Sequence, residues 1–391
     1  MDCRILPPHD LDERKTAELT ASNRGCPLDH RADGSIGVNS YALASQILRS
    51  GNTKQAGFNA KMVELFPQKN KSVLFKEGNG HRLQRLAAAR FFAPKVVTER
   101  YRRLMSDLSI RLVERLKRDR KATLDDMSLE LSVAVAAEIV GLTESIAPGM
   151  GKRLNRMFDL EAPVGGNWFA IALYIFRAQA NLLMVFLLDV LPAIRSRRRH
   201  PREDLISHLL EQKWSTLDLL TECVTYSTAG MSTTREFIVV AAWHLLERED
   251  LRQRFLAGEE SGRIAVLEEI LRLEPPVGTL FRKSTGPLTL DGEHVEAGTL
   301  LAIDVRAVNA DETVAGACPH RLDPDRKAAH MSFGDGHHKC PGLSVALQET
   351  AIFLNELLPV PGLRLAQTPV MGWNTMTMGY VLRKALLTVD G

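Results

Sequence analysis

Apolar residues recur at three- and four-residue steps through RYRRLMSDLSIRLVERLKRD and again through LELSVAVAAEIVGL, spacing that lays one apolar stripe along a helix. Helical patterning of this kind dominates from Val96 to Leu357. Pro192 and the run RSRRRHP, Arg195 to Pro201, predict a break and a solvated arginine loop before a further helix, DLISHLLEQ. The stretch STLDLLTECVTYSTAGMSTTREFIVVAAWHLLERED is far longer than an ordinary helix, and Ser215 or Thr216 is placed to cap its start. Its midpoint, STAGMSTT, carries poor helix formers, which predicts a local opening there. Strand signals are short and sit towards the two ends: SIGVNS early, then PLTL, TLLAIDV and YVLRKALLTV late. The pattern predicts a mainly α chain with a long central helix and small peripheral β-sheets.

Composition narrows the class. Lys+Arg 50 against Asp+Glu 47 leaves a net charge of +3, which makes no demand for nucleic acid. Cys3, Cys26, Cys223, Cys318 and Cys340 form no paired framework, as expected of a chain kept in a reducing compartment. The N-terminal MDCRILPPHDLDERK lacks the apolar core of a signal peptide. Arg177, Gln179 and Asn181 interrupt the most apolar region, Trp168 to Leu191, and argue against a membrane span. A cytoplasmic protein with no membrane or nucleic-acid partner is expected.

Three constellations carry chemistry. The loop FGDGHHKCPG, Phe333 to Gly342, raises a metal question. Cys318, His320, His330, His337, His338 and Cys340 could be assembled into a zinc site, but the spacing is poor and no Cys-x-x-Cys exists. Alternatively, one thiolate in a glycine-softened loop faces a flat cofactor, stabilised by the start of the helix LSVALQETAIFLNELL. A lone cysteine there is also compatible with a small buried residue. Glu269 and Arg272, three apart on a helix ended by Pro275, form an ion pair that is structural when taken alone. In AGMSTT, Ala229 to Thr234, a threonine can bond the carbonyl four residues back, making either a packing site or a notch for a small ligand such as O₂.

Together these segments resemble the cytochrome P450 family. Phe333, Gly336, Cys340 and Gly342 satisfy its F-x-x-G-x-x-x-C-x-G haem loop, and Glu269 and Arg272 its E-x-x-R. Ala229, Gly230, Thr233 and Thr234 resemble its A-G-x-x-T-T oxygen groove. HRLQR, His81 to Arg85, is similar to its propionate-binding helix, and PPVGTLFR ends in Arg282, often a further propionate ligand. LDPDR, Leu322 to Arg326, resembles the meander segment, and YVLRKALLTV the last hairpin. The resemblance runs nearly the whole chain and is to a soluble bacterial haem-thiolate monooxygenase. It implies a single oxidoreductase domain over residues 1–391, with an N-terminal arm at 1–30 and a mobile substrate roof at 57–75 and 165–186. No fused reductase is expected.

By that resemblance Cys340 is the axial thiolate of haem b (iron protoporphyrin IX), with O₂ as co-substrate. His81, Arg85, Arg282 and His338 would hold the propionates, Phe333 would pack beside the sulfur, and Glu269 with Arg272 would be a scaffold pair. Thr233, Ser232 and Gly230 would serve oxygen activation. Where the family places an acid before the groove threonine this chain has Ser232, which cannot be a proton source at neutral pH. Hydroxylation of a medium-sized, largely apolar natural product is expected. Oxidative C–C or C–N coupling, without oxygen insertion, is the alternative, and a non-catalytic haem sensor or a zinc-stabilised helical protein the reading from another class. Tyr226, Ala229, Val277, Leu280, Met376 and Met378 would line the substrate pocket. A ferredoxin with its reductase, or a flavodoxin-like protein, would deliver electrons at a face that includes Lys339.

Overall fold

A computed structural model describes residues 26–58, 60, 71–159 and 168–389, without the side chains of 157–159. Most of the predicted N-terminal arm, and the roof positions 59, 61–70 and 165–167, lie outside the described residues.

In chain order the main helices are α1 (Tyr41–Arg49), α2 (Gly78–Ala89), α3 (Arg102–Asp119), α4 (Leu124–Val140), α5 (Met150–Asp159) and α6 (Trp168–Val185). Then come α7 (Leu191–Arg199), α8 (Leu205–Glu211), α9 (Thr216–Glu247), α10 (Glu249–Ala257), α11 (Glu260–Leu273) and α12 (Leu343–Leu357). The central helix α9 is capped by Ser215, whose hydroxyl accepts from the Asp218 N–H. It passes between α4, α5, α11 and α12 and buries Phe237, Ile238, Trp243 and Leu245. Each such side chain contributes about 2–3 kcal/mol by leaving water. These residues belong to the larger core; a smaller one, around Ile36, Ile47, Leu301 and Met331, sits under α1.

The predicted opening at STAGMSTT is absent: α9 stays α-helical throughout. The Thr233 and Thr228 hydroxyls do bond the carbonyls of Ala229 and Val224, but they share those acceptors with the ladder instead of displacing it. The arginine run is also not a loop. A π-helical turn, Phe186–Val190, absorbs Pro192 at the start of α7, so the chain stays helical from Trp168 to Arg199. Arg197 is buried and ion-paired with Asp204, whose other oxygen accepts from the Ser207 N–H. The helical run Trp168–Arg199 is long and apolar enough to cross a membrane by length and composition, with mean hydropathy 1.8 over a window only 11% buried. Asn181 fastens it to α5 by donating to the Arg153 carbonyl at 3.0 Å.

Twelve short strands make four sheets among the described residues. The largest contains β1 (Leu28–His30), β2 (Ile36–Val38), β3 (Thr53–Gln55), β5 (Thr279–Ser284) and β8 (Leu300–Asp304), in the order β1-β2-β8-β5-β3. The β3–β5 register sets Gln55 opposite Arg282. A small hairpin joins β6 (Leu288–Leu290) to β7 (Glu293–Val295). The expected closing hairpin in YVLRKALLTV does not form. Its first half is β11 (Gly379–Arg383), paired with β10 (Val370–Asn374), whereas β12 (Leu386–Val389) pairs with β4 (Lys121–Thr123) and β9 (Leu363–Leu365). Lys384, at φ +57°, turns the chain between the two sheets.

Candidate active site

The loop from Met331 to Gly342 is held from behind. The Met331 N–H donates to Asn309 Oδ1 at 2.6 Å, Ser332 Oγ donates to the Leu271 carbonyl at 2.8 Å, and the Cys340 N–H donates to the Phe333 carbonyl at 2.8 Å. Asp335 is anchored to α1 through Ser45 Oγ at 2.7 Å and Arg49 Nε at 2.9 Å. Gly336 has φ +63°, and a Cβ there would lie 2.3 Å from the Leu48 carbonyl. Its freedom therefore serves close approach to α1, not the face turned to a cofactor. Phe333 packs on the larger core.

Cys340 stands just before α12. Burial raises its thiol pKa, while the Gly342 N–H and the nearby Arg85 work against that rise. Its residue is nonetheless solvent-accessible. The residue thus keeps contact with solvent although its sulfur lies among crowded neighbours.

A basic cradle stands beside it. The His81 and His338 rings lie 4.1 Å apart, tilted by 31°. Arg282 is buried on β5, and Arg85 of α2 donates to the Lys339 carbonyl. Burial, with His338 and Arg85 close by, lowers the His81 pKa to about 4. Glu77, which no motif singled out, enters this cradle: its carboxylate is 3.0 Å from His338 Nε2 and 3.4 Å from an Arg282 nitrogen, and it accepts from the Gln55 N–H at 2.9 Å. Burial pushes its pKa up, but His338 and its other partners hold it below the usual glutamate value.

The facing stretch of α9 carries Tyr226, Ala229 and Thr233 on one side of the helix, at i, i+3 and i+7. Arg85 and Cys340 both act electrostatically on the Tyr226 hydroxyl, which places this stretch beside the loop. Ala229 is exposed and Thr233 half-exposed in the middle of an otherwise buried helix. Tyr226 stacks on Phe92 at 5.5 Å with its hydroxyl buried. Ser232 is buried on the flank, and Gly230 points elsewhere, its Cβ direction meeting Ala136 of α4 at 3.8 Å. Val277–Leu280 and Thr375–Met378 come together, the Gly278 N–H donating to the Thr377 carbonyl at 2.9 Å. Leu280 lies 3.8 Å from the Cβ direction of Gly334 in the cysteine loop. Met376 and Met378, on the β10–β11 turn, are half-buried.

Glu269 and Arg272 form a bidentate pair, both contacts 2.8 Å, and Arg272 also donates to the Asn309 carbonyl. The pair has a third member that spacing alone did not reveal. Arg326, from LDPDR, reaches Glu269 at 3.3 Å and gathers the carbonyls of Ala315, Ala317, Cys318 and Arg321. Asn309 ties this network to the cysteine loop.

No group of three or more His, Cys, Asp or Glu side chains among the described residues gathers as a metal site, so the loop's two histidines and cysteine do not form the zinc cluster drawn on paper. What the residues do fit is a flat, doubly acidic cofactor with one axial thiolate. A cysteine in an exposed position stands before α12, and a carboxylate supplied by the chain itself already satisfies the cationic cradle.

Fold and site together define a haem-thiolate oxidoreductase. A "Cytochrome P450" family model matches residues 264–359. The biotin biosynthesis cytochrome P450 of Bacillus subtilis is 28% identical over 78% of this chain and 77% of its own length. Cytochrome P450 107B1 of Saccharopolyspora erythraea is 28% identical over 74% of this chain and 69% of its own. Among solved structures, CalO2 superposes with a TM-score of 0.81 at 19% identity, covering 98% of each chain. P450BioI, solved in complex with a hexadecenoic-acid-ligated acyl carrier protein, gives 0.80 at 22%, covering 95% of this chain and 97% of its own. Over most of its length the chain is thus similar to bacterial cytochromes P450. It is an oxidoreductase of the monooxygenase type, and its cofactor is haem b, with O₂ as co-substrate.

Proposed function

We propose that this protein hydroxylates, or otherwise oxidises, a medium-sized and largely apolar natural-product intermediate, with Cys340 as the axial ligand of its haem. The observation that carries the reading is Cys340 itself, a solvent-accessible residue placed just before α12 and beside a cationic cradle. Bound there, haem supplies the activation of O₂, favoured by electron donation from the thiolate. His81, His338, Arg85 and Arg282 would hold its propionates by charge-assisted hydrogen bonds. Gly342 donates to the sulfur and Phe333 fixes the loop behind it. The Thr233 hydroxyl donates to the Ala229 carbonyl at 2.7 Å, which leaves its lone pairs free to accept from water, so that it can pass a proton from solvent.

Val277, Leu280, Met376, Met378, Ala229 and the Tyr226 ring would form an adaptable apolar wall. Exposed Trp168, Phe169 and Phe176 on α6 suit a roof over such a substrate. The relatives' printed partners support the size class: one structure holds an acyl carrier protein with its fatty acid, another corticosterone, another erythromycin B. Electrons would come from a separate ferredoxin or flavodoxin-like donor, docking near exposed Lys339. Ser232 favours a second reading. With no acid at that position the two protons that O₂ activation consumes, in coupling as in oxygen insertion, would come through water or from the substrate, and the O–H or N–H groups of a substrate that couples could relay them. The test is to find a compound that shifts the resting haem spectrum and turn it over under ¹⁸O₂. One labelled oxygen in the product is expected; an unlabelled dimer, with exchange excluded, contradicts hydroxylation.

A further inference from the structure

Glu77 occupies the N-cap position of α2 yet makes no capping bond, at φ −130° and ψ 166°. Its carboxylate turns from the helix and is gripped by three separate elements instead: the Gln55 N–H of β3, Arg282 of β5 and His338 of the cysteine loop. The β3–β5 register, with Gln55 opposite Arg282, aims two of these donors at one point. This is a built carboxylate site, filled by the chain's own side chain. Haem brings two further carboxylates to the same neighbourhood.

We propose that Glu77 is a built-in competitor for the propionate donors and sets how tightly the haem is held. The inference rests on the proposed role of His338 and Arg282 as propionate donors. Arg282 has five N–H groups and only a long 3.4 Å contact to Glu77, so it can serve both. His338 can do so only through its other ring nitrogen. Its Nε2 makes a single hydrogen bond, and the 3.0 Å contact to Glu77 uses it, so a propionate must displace Glu77 there or settle for Nδ1. The competition therefore falls on His338, and the Glu77 charge adds repulsion towards any nearby propionate.

The experiment follows haem transfer from the ferric holoenzyme to excess apomyoglobin by absorbance, together with the midpoint potential. Glu77→Gln is expected to slow haem loss on the order of tenfold, the scale of one charge-assisted hydrogen bond. The same change should raise the potential, because an anion that favours the ferric state is removed. Glu77→Asp, too short to reach His338 but still charged, should fall between the two and serves if the Gln variant does not fold. His338→Ala should speed haem loss and shrink the Glu77→Gln effect in the double variant. Unchanged or faster haem loss in Glu77→Gln, with His338→Ala still fast, overturns the inference alone. A normal rate in His338→Ala overturns the cradle assignment and the inference with it.

Discussion

Gly336 and Gly230 both sit in motif-bearing segments, but the space around them differs sharply. A side chain at Gly336 would run into the Leu48 carbonyl at 2.3 Å from a left-handed backbone, whereas one at Gly230 would meet only the Ala136 methyl at 3.8 Å. Gly230→Ala should therefore fold and load haem normally, gaining about 0.5–1 kcal/mol from helix propensity. Thermal unfolding of the holoprotein checks this, and loss of haem or of stability would show that the groove cannot take the added methyl. Cys340 and the Glu269–Arg272 pair were legible because their partners lie close along the chain or follow a fixed spacing. Arg326 was not, since its contact with Glu269 crosses 57 residues and only the fold closes it. Glu77 was invisible for a different reason. One acidic residue before a helix looks like a cap, and only the arrangement of β3, β5 and the cysteine loop turns it inward.

At the scale of elements, helix existence was readable from periodicity, whereas interruptions were misjudged wherever packing outweighed local preference. The poor helix formers of α9 stay helical because Met231, Phe237 and Ile238 around them are fully buried. The arginine run stays helical because Arg197 has a buried acidic partner in Asp204. The helix α9 also carries Glu222, on the same face as Tyr226, Ala229 and Thr233 and bonded by the Val73 N–H at 3.0 Å. Burial raises its carboxyl from the ordinary glutamate value near 4.5 to about 7. The native state therefore holds a proton there that the unfolded chain releases earlier, and stability falls as pH rises through that window. Glu222→Gln should remove this component of the slope. The variant should be more stable than the parent at about pH 8, by up to roughly 3 kcal/mol, and gain little near about pH 5. Denaturant unfolding at the two pH values measures it; parallel pH profiles for the two proteins would contradict the assignment.

At the scale of the whole molecule, a mainly helical body with small sheets was expected, and the structural neighbours share it at TM-scores near 0.8. What patterning missed was how the sheets divide: the last two strands look like one hairpin but serve two sheets, because Lys384 redirects the chain between them. The result is that α9, the cysteine loop and the β10–β11 turn are brought together from segments far apart in the sequence. The central claim is that Cys340 ligates the haem among them. Reducing the purified holoprotein under carbon monoxide and recording its absorption tests it most directly. The parent should show the red-shifted Soret band of a thiolate-ligated haem, and Cys340→Ser should lose it. A band at the position of a histidine-ligated haem, or one that survives the Cys340→Ser change, would contradict the account.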